Sequence, residues 1–396
     1  LEATLMTFKS IRLTALILTL LLSACGGTIP AIERTSSGFE AASWSDDPIA
    51  PSFNIAYRDR VAANEEEAKR SPYNTHQTLF RIIQRSKESL DGAFFDIDAA
   101  DAVDEIIAAK RRGVRVRLVT DSDNTVDKID PSKPREAILR LRAAGIPVIE
   151  DRRSGFMHHK FMVLDGHTVW TGSTNLTPTS LYHHNNNALT IRSKELASVF
   201  SAEFERMFTD RAFGISQRTE TAPSREMAFK NGSVQAYFSP RGGGRQAVLD
   251  EVDKAKKRIR LMTFSFTDVD LGLMIHGKAH DGVKVDGVFD RWLAAGRYSL
   301  YSQFKADGLN VWLDGNEALM HHKVIVIDDD TVITGSFNFS QNAEANNNEA
   351  LLIIRNAPGL VKAYDDEFNR LVHAAKNNRP PSKKPRDPEL QTGDVP

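Results

Sequence analysis

Met157–Asn175 reads MHHKFMVLDGHTVWTGSTN, and Met320–Asn338 reads MHHKVIVIDDDTVITGSFN. Both contain His-x-Lys, four residues, Asp, six residues and then Gly-Ser-x-Asn. The first copy supplies His158, Lys160, Asp165, Gly172, Ser173 and Asn175; the second supplies His321, Lys323, Asp328, Gly335, Ser336 and Asn338. The same identities at matched spacing, twice in one chain, indicate an internal duplication. The repeat reaches upstream, where RGVRVRLVTD (Arg112–Asp121) matches DGVKVDGVFD (Asp281–Asp290).

Each copy has the same order of elements. Apolar residues at three- and four-residue spacing predict helices over His76–Leu90 and Arg245–Arg258. Short apolar strands follow at Ala93–Ile97 and Leu261–Phe266, then helices at Ala102–Lys110 and Leu271–Ala279, then strands at Val114–Thr120 and Val283–Phe289. Further helices are expected near Arg135–Ala144 and Ser299–Ala306. Two close strands carry each motif, Phe161–Leu164 with Thr168–Thr171 and Val324–Ile327 with Thr331–Thr334, joined at Gly166 and at Asp329-Asp330. Closing helices run over Ser193–Met207 and Pro358–Ala374. Strands alternating with helices in each copy predict an α/β sandwich with a mixed β-sheet.

Composition agrees with two full cores and little else. The chain has 396 residues, 41% hydrophobic and 26% charged, which excludes collagen, a mainly disordered chain and a multi-span membrane protein. Lys and Arg total 51 against 52 Asp and Glu, so no global basic field draws it to nucleic acid. Cys25 is the only cysteine, which excludes an internal disulfide framework and a cysteine-based zinc site.

The motif spacing has a chemical reading. Residues two apart on a strand share a face, so His158 lies beside Lys160 and His321 beside Lys323. An ammonium next to an imidazole suits a phosphate. The hydroxyls of Ser173 and Ser336 and the amides of Asn175 and Asn338 are expected to donate to the same oxygens. Asp165 and Asp328 point the other way and are expected to play a structural, hydrogen-bonding part. Displacement at phosphorus through a covalent intermediate needs one group to attack and one to protonate the leaving oxygen. Two copies about a pseudo-twofold axis supply both, with lysines and asparagines as the charge clamp and no metal or other cofactor required.

This paired pattern closely resembles the phospholipase D superfamily over roughly Thr75–Ala375. The resemblance implies a two-lobed fold, one active site between the lobes and a phosphohistidine intermediate without metal. It makes His158 the nucleophile and His321 the general acid. The family often carries a glutamate about eleven residues after the motif asparagine, to orient a catalytic histidine. Glu349 fits in the second copy, whereas Asn186 stands at that place in the first. An asparagine holds a tautomer but offers no charge to an imidazolium. Glu349 is therefore expected to serve His321, directly or crossed from the other lobe.

Other groups have plainer readings. His159 and His322 face the opposite side of their strands and read as core or hydrogen-bonding residues, and Phe161 and Trp170 as core. His183 and His184 read as a cleft rim contacting phosphate, with a metal site beside His158 as the alternative. Trp292, Tyr298 and Tyr301 form either an aromatic rim or a packed helix face. The basic runs Lys254–Arg258 and Lys110–Arg112 read as solvated helix ends.

The termini look like an address and tails. Lys9 and Arg12 precede an apolar run, Leu13–Leu22, too short to span a bilayer. Leu22-Ser23-Ala24-Cys25 resembles a bacterial lipobox, which implies lipidation of Cys25. Gly26 resembles outer-membrane sorting. The expected organisation is a signal peptide over 1–25, a flexible tether over 26–70, a first lobe over 71–210, a linker over 211–232, a second lobe over 233–375 and a disordered tail over 376–396.

The function expected is hydrolysis of a phospholipid headgroup ester by an enzyme anchored at the cell envelope. The alternative is a metal-independent endonuclease, since the second motif also resembles small secreted endonucleases of the same superfamily. A phosphatidyl transferase of cardiolipin synthase type and a non-catalytic anion-binding surface protein follow. The substrate partner is thus a phospholipid or nucleic-acid phosphodiester. A monomer suffices, with no obligate protein partner, because the symmetric half is covalently attached.

Overall fold

Phe161 and Val163 of the strand Lys160–Leu164 face one apolar core, while Met162 and Leu164 face another. The equivalent strand Lys323–Ile327 divides the same way, Val324 and Val326 to the first core, Ile325 and Ile327 to a third. Strands apolar on both faces must be covered on both. That requirement sets the layering in the computed structural model, which describes residues 48–54, 65–71, 74–128, 130–153, 155–214, 225–230 and 232–378. All of these belong to one compact unit, Trp44–Pro396.

The first lobe comprises β1 (Ile49–Phe53), α1 (Glu65–Arg70), α2 (Thr75–Arg85), β2 (Ser89–Phe94), α3 (Ala100–Arg111), β3 (Arg115–Thr120), α4 (Glu136–Ala143), β4 (Val148–Glu150), β5 (Lys160–Leu164), β6 (Thr168–Gly172), α5 (Pro178–Tyr182), β7 (Asn187–Arg192) and α6 (Lys194–Phe208). The second comprises β8 (Met227–Phe229), β9 (Gly232–Ser239), α7 (Gly244–Asp253), β10 (Arg258–Thr263), α8 (Val269–His280), β11 (Lys284–Phe289), α9 (Arg291–Ala294), α10 (Tyr301–Ala306), β12 (Asn310–Leu313), β13 (Lys323–Ile327), β14 (Thr331–Gly335), α11 (Gln341–Ala345), β15 (Glu349–Arg355) and α12 (Pro358–Asn377).

The first sheet runs β1-β7-β6-β5-β2-β3-β4 and the second β12-β11-β10-β13-β14-β15-β9-β8. Read from opposite ends they match strand for strand, apart from the added β8. In both, three strands are parallel (β2-β3-β4 and β10-β11-β12) and the rest antiparallel. The fold is the expected α/β arrangement of two mixed sheets flanked by helices.

Helices α6 and α12 lie between the sheets. Phe200 and Phe204 from α6, and Tyr364 and Phe368 from α12, join the inner faces of both sheets in one shared core. Helices α2–α5 and α7–α11 cover the outer faces, in separate cores for the first and second lobes. A core common to both lobes sets their mutual geometry, on which a site built from both depends.

Several boundaries differ from the sequence reading. The helices expected to end at Leu90 and Arg258 stop at Arg85 and Asp253, and β2 and β10 begin at Ser89 and Arg258. The cause lies in the motif. The Asp165 carboxylate accepts from the amides of Lys87, Glu88 and Ser89 at 2.8–3.2 Å. Asp328 accepts likewise from Lys256, Lys257 and Arg258. Each aspartate draws the chain out of helix and into the strand.

The tether expected over 26–70 contains β1, paired antiparallel with β7, and α1. Pro51 and Ser52 hide that strand from a pattern search, but an edge strand tolerates both. The linker expected over 211–232 contains β8 and the first residue of β9. Among the described residues no helix is long and apolar enough to cross a membrane. The address at 1–25, with Cys25, and positions 379–396 of the tail fall outside the described residues.

Candidate active site

The His-x-Lys segments enter β5 and β13, and strand alternation sorts their side chains. His159 and His322 turn toward the central helices, with Nε2 3.1 Å from Glu203 of α6 and 2.9 Å from Glu367 of α12. His158, Lys160, His321 and Lys323 lie on the other face. All four are buried.

The lobes then clasp one another. His158 N–H donates to the Asn348 carbonyl at 2.9 Å, and His321 N–H to the Asn185 carbonyl at 2.8 Å. Asn348 N–H donates back to Phe156, and Asn185 N–H to Leu319. These pseudo-twofold bridges bring the residues at the start of β7 and β15 across to the opposite lobe's histidine. His158 Nδ1 lies 2.7 Å from Glu349 Oε1. His321 Nδ1 lies 3.0 Å from Asn186 Oδ1 and 3.0 Å from the Ser173 carbonyl. The two motifs thus touch directly, since Ser173 of the first copy meets His321 of the second.

Glu349 was expected to serve His321; it serves His158 instead. The exchange follows from the crossover: each lobe's segment orients the other lobe's histidine, so the second-copy glutamate reaches the first-copy ring. His321 receives an amide.

The motif serines also differ from expectation. Ser173 Oγ donates to Asn186 Oδ1 at 2.7 Å, and Ser336 Oγ to Glu349 Oε2 at 2.5 Å. Each accepts in turn from a strand amide, Asn187 N–H at 3.1 Å and Ala350 N–H at 3.0 Å. They position the orienting groups rather than presenting hydroxyls to a phosphate. The preceding glycines make this possible: a Cβ at Gly172 would sit 2.2 Å from the Asn187 carbonyl oxygen, and at Gly335 2.1 Å from that of Ala350.

Each lysine is held in the same way. Lys160 Nζ donates to the His158 carbonyl and Lys323 Nζ to the His321 carbonyl, both at 2.9 Å. Each ammonium sits over an aromatic ring, Phe95 at 5.1 Å and Phe264 at 4.5 Å, and those rings also pack edge-on against His158 and His321. Buried charge on this scale is tolerated where a counter-charge completes the site. Asn175 and Asn338 are buried two residues beyond the motif serines.

Asp165 and Asp328 lie apart from the histidines, in the turns after β5 and β13, with left-handed backbones of φ 50° and 51°. Burial raises the Asp165 carboxyl, and the three amide donors outweigh it, leaving it below the ordinary carboxylate range.

Other residues were not anticipated. Asp121 and Asp290 directly follow β3 and β11, and accept from the amides of Met157 and Met320 at 2.9 and 3.0 Å, fixing where each motif begins. Burial, with the Asp151 carboxylate beside it, raises Asp121 to about 7; burial raises Asp290 to about 6 against nearby amides and His184. Both close the blocks repeated upstream of the motifs, which was the signal available in the sequence. His184 comes to His321, ring centroids 6.0 Å apart. Among the described residues no three His, Cys, Asp or Glu side chains are grouped to hold a metal. Trp292 Nε1 donates to the Ala318 carbonyl and Tyr301 packs edge-on against Phe289, while Tyr298 is exposed.

Known proteins resemble this chain. The mitochondrial cardiolipin hydrolase of Xenopus tropicalis is 33% identical over 132 residues, 33% of this chain and 60% of that protein. A phospholipase D of Rickettsia conorii is 30% identical over 131 residues, 33% of this chain and 65% of its own. The chain therefore spans somewhat under two thirds of these relatives. The crystal structure of phosphatidylserine synthase from Haemophilus influenzae, 14% identical, covers 75% of this chain and 83% of its own with a TM-score of 0.59, a likeness of fold. The family model described as cardiolipin synthase, PLD-like domain, matches residues 79–208 and again 248–372, one match on each lobe. A model that fits both halves of a duplicated chain, motif for motif, places it in the phospholipase D superfamily.

Proposed function

We propose that the chain is a phosphodiesterase of phospholipase D type, hydrolysing a phospholipid headgroup ester through a phosphohistidine on His158. One observation carries the assignment of roles: the carboxylate of Glu349 is on His158 and an amide is on His321. The attacking ring becomes cationic once a P–N bond forms while Nδ1 keeps its proton, so a carboxylate belongs beside it. The acid starts as an imidazolium and ends neutral, so a neutral partner favours release of its proton.

His158 donates Nδ1–H to Glu349 and attacks with Nε2. The bond from phosphorus to the headgroup oxygen breaks as His321 delivers its Nε2 proton to that oxygen. Water then attacks phosphorus, the P–N bond breaks, and the water's proton returns to His321. Lys160 and Lys323 offset the phosphate charge throughout, and Asn175 and Asn338 donate amide N–H groups. Ser173 and Ser336 hold the two orienting groups, and Asp165 and Asp328 hold the strands. The names of the relatives and a net charge of only -1 support a lipid substrate over nucleic acid. The lipobox-like ending at Cys25 adds an acyl anchor at the cell envelope, in an outer membrane.

The test offers the purified full chain phosphatidylcholine vesicles and plasmid DNA in parallel, with chelator present. Choline release with intact DNA, and acid-labile phosphate on the wild type but not on His158→Ala, is the result expected. DNA cleavage with intact lipid would establish the endonuclease instead. No turnover of either, with ligand retained, would leave a binding protein.

A further inference from the structure

The two half-sites differ at one more buried position. Asn187 opens β7, directly after Asn186; its counterpart on β15, after Glu349, is Ala350. Asn187 is fully buried and its side chain crosses into the second lobe. Its Nδ2 donates to Thr334 Oγ1 and to the Tyr364 hydroxyl, both at 2.8 Å. Its Oδ1 lies 3.0 Å from His322 Nδ1, and His322 Nε2 reaches Glu367, itself bonded to Arg370. The same Oδ1 is 3.3 Å from Ser173 Oγ. In the mirror-related half, Ala350 and Phe200 of α6 stand where Asn187 and Tyr364 stand here, and neither side chain has a polar group.

We propose that Asn187 is a positioning residue for His321. Its side chain pins the start of β7 to β14 and α12, and so holds Asn186 and Ser173 where they meet the His321 Nδ1. The asymmetry has a physical reason. Glu349 is drawn to His158 by charge, which acts over distance and forgives small displacement. The bond from His321 to Asn186 is neutral and directional, so it weakens steeply when misaligned. The half-site without the carboxylate is the one with the added polar clamp. The inference rests on His321 acting as general acid, and it goes beyond that reading by naming what aims the ring.

The test uses leaving groups. Choline leaves phosphatidylcholine as an alkoxide and needs a proton, whereas nitrophenol leaves bis(p-nitrophenyl) phosphate as a stable phenolate and does not. Asn187→Ala is expected to slow choline release about tenfold or more and nitrophenolate release less than about threefold. Tyr364→Phe, which removes the hydroxyl that accepts from Asn187 Nδ2 without leaving a cavity, is expected to show the same pattern at about threefold. Plasmid DNA replaces the lipid if that proves to be the substrate, since its sugar oxygen is an equally poor leaving group. Equal losses on both esters, or undiminished choline release by folded Tyr364→Phe, would overturn the proposal. If wild-type protein traps no phosphate on His158, the functional reading fails first and this inference falls with it. Normal trapping with no leaving-group dependence refutes the role of Asn187 alone.

Discussion

At Asp165 and Asp328 the two lobes do the same thing; at Asn186 and Glu349 they do not. The aspartates each clip three backbone amides at the entry to a strand, the glycines each admit a neighbouring carbonyl, and each lysine bonds the carbonyl of its own motif histidine. The difference begins one residue past the crossover bridges, where one lobe offers an amide and the other a carboxylate. Duplication thus supplies the scaffold twice. A change in two adjacent side chains then gives otherwise equivalent histidines different electrostatic surroundings.

Removing the histidines breaks this comparison most severely. His158→Ala is expected to abolish turnover and phosphate trapping on every substrate. His321→Ala should lower choline release about a thousandfold yet leave measurable cleavage of the nitrophenyl ester, because only the former needs a proton. Equal activity profiles for the two variants would show that the lobes are not specialised.

Glu349→Gln keeps a hydrogen bond and removes the charge. Turnover is expected to fall about a hundredfold, with less phosphohistidine at steady state, since the cationic intermediate loses its partner. Near-normal turnover would remove the argument that makes His158 the nucleophile.

The shared scaffold is tested by Asp165→Ala and Asp328→Ala, each expected to lose about 2 kcal/mol through charge-assisted hydrogen bonds to backbone amides. The two losses should be similar, measured by denaturant unfolding. The Asp165 carboxyl is held below its ordinary value of 3.8. Its contribution is therefore present above about pH 3.8, the unfolded value, and lost as pH falls through the folded one. The stability gap between wild type and Asp165→Ala should close at acid pH and stay open at neutral pH.

Asn186→Glu makes the half-sites more alike. A carboxylate beside His321 stabilises its imidazolium, so the alkaline limb of the pH–rate profile should move up by about one unit. An unmoved limb would separate the titration of that limb from His321.

Much of this was legible in the chain. The duplication, the His-x-Lys faces, the alternation of helix and strand and the doubled sheet follow from identities and spacing, which local geometry translates directly. Where local rules compete with distant contacts, the reading slipped. The helices ran on too far because the aspartates that stop them lie far along the chain. The strand β1 escaped because Pro51 and Ser52 resemble a loop until β7 is there to pair with. The alternative reading of His183 and His184 set them beside His158 of the nearer motif, yet His184 packs against His321 of the other copy.

The sequence by itself determined which groups are candidates for the chemistry and that they come in two sets, because residue type and strand periodicity are local properties. Only the tertiary structure decided which orienting group serves which ring. That choice depends on the crossing of the two lobes through a common core, and contacts between residues so far apart in the chain leave no spacing to read.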